Sequence, residues 1–218
     1  MKRRLFLFSI AALSSGLTGA RAAKPFMTDE MLSNLKSDYS TQAFKRGTAL
    51  NKLLSELKNK DRSTQLKEVN RFFNQFQYRE DIVHWGKIDY WATPEEFIGT
   101  QYGDCEDFVI AKYFSLRKLG VPDERLYLTY VKHLEKNVAH MVLSYFETPT
   151  GIPLVLDNYN PKILRANKRK DLLPVYSFNA SSLFLSNASA GLGQSLPTDK
   201  IKNSKWQKLL SDLKKEKK

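Results

Sequence analysis

The period of the hydrophobic pattern changes near Gly120, and this change limits the possible folds more than any other feature of the chain. From Met27 to about Gln77 apolar residues recur at helical spacing. Another largely buried helix is predicted over residues 104–119, and Gly120 and Pro122 end it. Beyond it, apolar and polar residues alternate, as in half-buried strands. The order of helices and then strands predicts an α+β fold with an antiparallel sheet.

Local signals refine this outline. Ser63 is predicted to cap a helix, and the segment 93–96 resembles a capped helix start. Three strands are predicted in RLYLTYVKHL, NVAHMVLSYFE and IPLVLDN, with weaker ones in LPVYSF and SSLFLS. Residues 188–199 are predicted to form a loop or linker, and residues 202–218 a basic helix or tail.

The first 22 residues are typical of a signal peptide. Three basic residues at positions 2–4 precede a mostly apolar run over 5–17, and Ala-Arg-Ala at 20–22 fits a cleavage site. The apolar run is shorter than the roughly 20 residues that a membrane-spanning helix needs. An uncleaved anchor remains the alternative. We therefore expect an exported, periplasmic protein.

The formal net charge of +12 admits nucleic acid, an anionic membrane or an acidic protein as a partner. Export argues against nucleic acid, and no zinc-finger or helix-turn-helix pattern is present in the sequence. Much of the basic excess lies in NKRK at 167–170 and in the C-terminal KKEKK, and both are predicted to be solvated surface.

The single cysteine, Cys105, excludes an internal disulfide, which is unusual for an exported chain. It lies in GDCED, between Asp104, Glu106 and Asp107. Negative charges beside a thiol disfavour the thiolate. Cys105 is therefore either an inert residue at a helix start or a nucleophile whose acidic neighbours have another role.

Strand alternation places two further candidates together. His140 shares a strand face with Val142, and Asp157 shares one with Val155. If the strands pair, both side chains project from one side of the sheet, and we expect that side to meet the helix of Cys105. Cysteine, imidazole and carboxylate then form a nucleophile, a base and the group that orients the base.

Each of these three residues also has a plain structural interpretation. Cys105 can be a small residue near a helix start, His140 a buried strand histidine and Asp157 a turn residue. His84 and His133 lack a matching partner pattern, and we expect both to be structural.

The stretch WATPEEFIGTQYGDCEDFVIAKYFSLRKLG, with the later AHMVL and LDN, resembles the bacterial transglutaminase-like cysteine proteinases, and among them the LapG family of periplasmic proteases. The resemblance implies a papain-like protease domain over residues 23–188, with N-terminal helices and a nucleophile-bearing helix packed on an antiparallel sheet. A loop and a basic C-terminal helix or tail would follow over 189–218. It also implies a catalytic triad of Cys105, His140 and Asp157.

The three acids around Cys105 allow two explanations. Asp104 and Asp107 can cap the helix, but carboxylates so close together also repel one another. A calcium ion prefers 6–8 oxygen ligands and relieves such repulsion. The resemblance implies calcium dependence, with Asp104, Glu106 and Asp107 as ligands. The remaining oxygens stay open, and the Asp123–Glu124 loop is one possible source.

Acyl transfer also needs oxyanion donors, for which the Cys105 backbone N–H and either Gln101 or the Trp91 indole are candidates. Gly99 and Gly103 either admit the substrate backbone or serve a turn.

The resemblance implies an endopeptidase that cleaves the N-terminal region of a large surface adhesin and thereby promotes biofilm dispersal. Its partner would be a LapD-like inner-membrane receptor that responds to cyclic-di-GMP. The same triad also fits a cell-wall peptide amidase or a transglutaminase. A non-catalytic binding module is the alternative from another class.

Overall fold

The computed structural model describes residues 25–180, 182–187, 191–196 and 204–215. The predicted signal peptide lies outside these residues. A π-helix over Leu35–Tyr39 follows the first α-helix, and 3-10 turns occupy Asp123–Arg125 and Ala166–Lys168. The described α-helices are α1 (Asp29–Asn34), α2 (Thr41–Leu57), α3 (Arg62–Phe73), α4 (Asp81–His84), α5 (Pro94–Thr100), α6 (Cys105–Lys118) and α7 (Ser204–Lys215).

The strands form two sheets. A short parallel pair joins β1 to β2, just before α6, and a seven-stranded antiparallel sheet has the order β6-β5-β4-β3-β7-β8-β9. The strands are β1 (Gln77–Tyr78), β2 (Tyr102–Gly103), β3 (Leu126–His133), β4 (Val138–Tyr145), β5 (Leu154–Leu156), β6 (Leu164–Arg165), β7 (Leu172–Phe178), β8 (Leu183–Asn187) and β9 (Gly191–Leu196). Helices therefore precede an antiparallel sheet, and the predicted α+β class is confirmed.

The helix starts follow capping chemistry, with one correction. Thr93 and Glu96 form the reciprocal bonds of a capping box at the start of α5, as the sequence predicted. The start of α3 is different. Asp61, and not Ser63, accepts the hydrogen bond from the backbone N–H of Thr64 at 2.9 Å. The prediction for Ser63 was wrong by two residues because either side chain can cap a helix.

The sheet has a main core on one face and a smaller cluster on the other. Phe108, Met141 and Leu143 belong to the main core, so α6 packs on the face of β4 that carries Met141. Val142 belongs to the smaller cluster, on the same face as His140. Our expectation that the His140 face meets α6 was therefore wrong for the body of the helix, although Cys105 at its first residue is hydrogen-bonded to the backbone of Met141, the residue after His140.

The C-terminal region continues the same fold. Gly191–Leu196 pairs with β8 as a strand, so the loop predicted over 188–199 was wrong for these residues. In α7, Trp206 is fully buried in the main core and its ring lies parallel to Phe114 at 5.9 Å. Among the helices of the described residues, none has the length and apolarity to cross a membrane.

Candidate active site

Cys105 is the first residue of α6, and its thiol lies between the acidic side chains of that helix start and the backbone of β4. Its Sγ donates to Glu106 Oε2 at 3.1 Å, and a backbone hydrogen bond from Met141 in β4 favours the thiolate. Burial, followed by the charges of Glu106 and Asp104, raises the pKa of this thiol well above its usual value. Cys105 is therefore adjacent to the strand that carries His140, but the surrounding acids hold it protonated.

The imidazole of His140 forms a defined pair with Asp157. Nε2 of His140 lies 2.8 Å from Oδ1 of Asp157, and each residue is 1% exposed. The alternation argument correctly placed these two side chains on one side of the sheet. Because an ionised carboxylate only accepts, the Nε2 nitrogen carries the proton and Nδ1 presents a lone pair. Within the described part of the chain, buried Nδ1 has no hydrogen-bond partner.

Tyr159 fixes the plane of the His140 ring. The two rings are parallel within 1°, with centroids 4.3 Å apart. The Tyr159 backbone N–H also donates to Oδ1 of Asp157 at 3.0 Å. Burial raises the pKa of Tyr159, and a negative charge on Cys105 or Asp157 would raise it further. The sequence did not reveal this residue, since LDNYNP reads as a turn.

Arg169 holds the second oxygen of Asp157. Its Nη2 donates to Oδ2 at 2.7 Å, and the guanidinium also binds Asp171 through Nε and Nη2. Burial raises the pKa of Asp157, but its contacts with His140 and Arg169 outweigh burial and hold that pKa below its usual value. Arg169 is 3% exposed, so the prediction that NKRK is solvated surface was wrong at this position.

A buried acidic cluster lies beside the nucleophile. Carboxylate oxygens of Asp81, Asp104 and Asp107 lie within 4.8 Å of one another, and Asp104 also groups with Cys105 and Glu106. The structure thus brings together the three predicted acids and adds Asp81 from α4. No local signal marked Asp81, which is 24 residues before Cys105.

Burial and mutual repulsion favour the protonated forms of these acids. Burial, then Glu106, raises the pKa of Asp104 to about 11, and burial raises that of Asp81 to about 6. Asp107 accepts from the backbone N–H groups of Ala92 and Asp104. In the described ranges, however, buried Oδ1 atoms of Asp81 and Asp104 lack hydrogen-bond partners. Once deprotonated, carboxylates at this spacing offer hard oxygen donors of the kind that a calcium ion prefers.

Two further candidates for the site are excluded by their positions. Asp123 accepts from the Tyr113 hydroxyl, and because Tyr113 follows Cys105 by eight helical residues, or about 12 Å, the Asp123 carboxylate lies away from the acidic cluster. The Trp91 indole donates to Asp89 at 2.9 Å and is not free to stabilise an oxyanion.

Gly103 has a packing role. A Cβ there would collide with the Asp107 side chain, so the glycine allows close packing beneath the cluster. The two remaining histidines have structural surroundings: His84 packs against Trp85, and His133 lies 3.8 Å from Asp171.

Comparison with known families identifies the fold. The family model of the bacterial transglutaminase-like cysteine proteinases matches residues 41–172, which is more than half of the chain and includes Cys105, His140 and Asp157. The chain belongs to this family. It is a cysteine proteinase, as the sequence predicted. A comparison with curated proteins finds no match.

Solved structures of LapG from Legionella pneumophila match this chain closely. One shares 43% identity, with a TM-score of 0.71, and the match covers 86% of this chain and 98% of that one. An EGTA-treated form has a TM-score of 0.73 and a calcium-bound form one of 0.72, each at 43% identity. These matches cover 86% and 84% of this chain, respectively, and 98% of each LapG chain. The chain is thus a LapG-like cysteine proteinase, and calcium is bound by a similar protein.

Proposed function

We propose that this protein is a calcium-dependent periplasmic endopeptidase that cleaves the N-terminal region of a large surface adhesin through a thioester. The observation that carries the proposal is the buried His140–Asp157 pair beside a cysteine at a helix start. The 43% identity to LapG over most of the chain supports the substrate class. The proposed roles of His140 and Asp157 follow from their contact, and that of Cys105 from its position at the start of α6.

In the proposed mechanism, Nδ1 of His140 takes the proton of the Cys105 thiol as sulfur attacks the peptide carbonyl carbon. The backbone N–H of Cys105 donates to the developing oxyanion. Nδ1 then gives its proton to the leaving amine, and the acyl group remains on sulfur as a thioester. Water then passes a proton to Nδ1 as its oxygen attacks the thioester carbonyl carbon. The carbon–sulfur bond breaks, the carboxylic acid leaves, and Nδ1 returns the proton to the Cys105 sulfur. Throughout, Asp157 accepts from Nε2 and stabilises the imidazolium.

The acidic cluster would hold the calcium ion. Asp81, Asp104 and Asp107 offer close oxygens, and Glu106 adds a fourth carboxylate beside the thiol. A bound calcium ion supplies positive charge that offsets the acids and lowers the pKa of the thiol. As a ligand of such an ion, Glu106 would accept less readily from the Cys105 thiol, and the thiol would then be available to His140.

We also propose, from the same resemblance, that a receptor regulates the activity of this protease. A LapD-like inner-membrane receptor would sequester the protease when cyclic-di-GMP is high, and its release would let the adhesin be cut and a biofilm disperse. Binding of the purified protease to the periplasmic domain of such a receptor, measured by calorimetry, tests this partner. An absence of binding at micromolar concentrations contradicts it.

The activity is tested with purified chain and an adhesin N-terminal fragment that contains a pair of alanines. Cleavage is expected between or beside these alanines, lost in EGTA, restored by calcium and absent in Cys105→Ala. A fragment with the alanine pair replaced by aspartates is the matched control. Turnover of cell-wall peptides with no cleavage of the fragment would replace this function by an amidase activity.

A further inference from the structure

A lysine on the nucleophile helix is completely buried. Lys112 lies seven residues after Cys105 on α6 and is 0% exposed. Its Nζ donates to Oδ1 of Asn74, the C-cap residue of α3, at 2.7 Å. Burying an ammonium group carries a free-energy cost, which a methionine of similar length would avoid. We therefore expect the hydrogen bond that Lys112 donates, and not only its packing, to matter at this position.

The donor fixes the orientation of the Asn74 amide. A protonated lysine only donates, so the amide oxygen of Asn74 must face Lys112. The amide nitrogen then faces the other way, where Nδ2 donates to the backbone carbonyl of Asp157 at 2.8 Å. Without Lys112, the amide can turn and present its oxygen to that carbonyl, which is repulsive.

The residue held in this way is the carboxylate partner of His140. Asn70, one turn earlier on α3, donates to the carbonyl of Pro161 at 3.1 Å. Helix α3 therefore holds both ends of the turn 157–161. Tyr159, which stacks on His140, lies between these two anchors. Displacement of this turn would move both the Asp157 carboxylate, which binds the edge of the His140 ring, and the Tyr159 ring, which stacks on its face.

We propose that Lys112 and Asn74 are positioning residues that tie the nucleophile helix to Asp157 and thereby set the orientation of His140. The inference rests on the proposed triad. Burial lowers the pKa of Lys112 to about 7, although the charge of Asp157 opposes this shift. A neutral amine still has N–H donors, so the bond to Asn74 can persist on either side of that pKa.

The decisive variant is Asn74→Asp. The new carboxylate keeps an oxygen toward the Lys112 ammonium and adds a negative charge. It also replaces the Nδ2 donor, which binds the Asp157 carbonyl, with a second acceptor oxygen. We expect kcat to fall by about tenfold or more with KM unchanged, as is typical when a partner that orients a functional side chain is removed. Unchanged kcat in Asn74→Asp overturns the proposal.

Lys112→Met is the second variant, and Leu116→Ala is its matched control on the same helix. Leu116 is fully buried. Among the described residues, it makes no hydrogen bond to Asn74 or Asp157. Leu116→Ala is expected to lower Tm with little change in kcat, whereas Lys112→Met is expected to lower kcat by about tenfold. An equal kcat loss in both variants would assign the effect to general destabilisation and overturn the proposal.

The positioning role is separable from the triad itself. Fast alkylation of Cys105 by iodoacetamide, lost in His140→Ala, tests the triad in the unmodified chain. A crystal structure of Asn74→Asp tests the positioning without any catalysis. We expect the contact between His140 Nε2 and Asp157 Oδ1 to lengthen from 2.8 Å, and an unchanged contact overturns the inference even if the triad is active.

Discussion

Arg169 and Asp157 form a buried ion pair behind the imidazole, with Nη2 and Oδ2 at 2.7 Å. The guanidinium is shared with Asp171, so one cation serves two carboxylates. Removing one partner of such a pair leaves an uncompensated buried charge, which typically costs about 3–5 kcal/mol. Arg169→Met is therefore expected to lower the free energy of unfolding by about 3–5 kcal/mol at pH 7, measured by chemical denaturation. The exposed Lys170→Met is the charge-matched control and should change little, whereas an equal loss in both contradicts the assignment.

The same pair predicts a pH dependence. Because the pKa of Asp157 is held below its usual value in the folded protein, the group stabilises the fold above the unfolded pKa of about 4. This contribution is lost as the pH falls through the lower, folded pKa. In Arg169→Met the folded pKa rises, so the midpoint of acid unfolding should move to higher pH. A midpoint that coincides with that of Lys170→Met would contradict the prediction.

Calcium should stabilise the protein through Asp81 as well as through the acids beside Cys105. Asp81→Asn is expected to remove most of the rise in Tm that calcium produces, since it deletes one charged ligand of the cluster. Differential scanning fluorimetry in EGTA and in calcium measures this difference. Glu80→Gln, on the preceding residue, is the matched control. A full calcium response in Asp81→Asn would exclude this residue as a ligand.

Tyr159 should support catalysis through the stacking of its ring on His140 and not through its hydroxyl. Tyr159→Phe is expected to keep kcat within about twofold, because the stack on His140 is preserved. Tyr159→Ala removes a ring contact of about 0.5–1.5 kcal/mol, so kcat should fall up to about tenfold. Steady-state kinetics on one peptide substrate distinguishes the two variants. Equal losses in both would assign the role to the hydroxyl.

The C-terminal helix should be part of the cooperative fold. Trp206 contacts a group of aromatic rings in the core, and truncating such a residue to alanine costs about 3–5 kcal/mol. Trp206→Ala is expected to lower the free energy of unfolding by that amount, while the exposed Gln207→Ala leaves it unchanged. Urea titrations measure both. If Trp206→Ala unfolds at the same urea concentration as the parent, α7 is not coupled to the core.

Local patterns were sufficient for most of the fold and for the order of the triad. The two periods of the hydrophobic pattern predicted helices α2 and α6 and strands β3 and β4. In each of these elements, apolar residues recur at the spacing that places them on one buried face. Alternation alone placed His140 and Asp157 on one side of the sheet. Strand β9 was missed because GLGQSL contains two glycines and lacks a clear alternation of apolar residues.

The missed site residues depend on contacts between distant segments. Asp81 and Arg169 reach the site only when the chain folds back, and no local spacing connects them to Cys105 or Asp157. A basic run such as NKRK is usually exposed, and only the buried carboxylates around Arg169 reverse that expectation. Lys112 is concealed in the same way, since its partner Asn74 lies 38 residues earlier in the chain.

The three proposed catalytic residues lie on separate elements: the start of α6, the middle of the sheet in β4, and the end of β5. His140 lies on β4 and Asp157 directly follows β5, and these consecutive antiparallel strands are joined by the eight residues 146–153, whereas Cys105 comes from a separate helix. A nascent or extended polypeptide therefore has no assembled nucleophile. Proteolytic competence therefore requires helix α6 to dock against the sheet, so a chain in which this docking has not occurred cannot cut its neighbours.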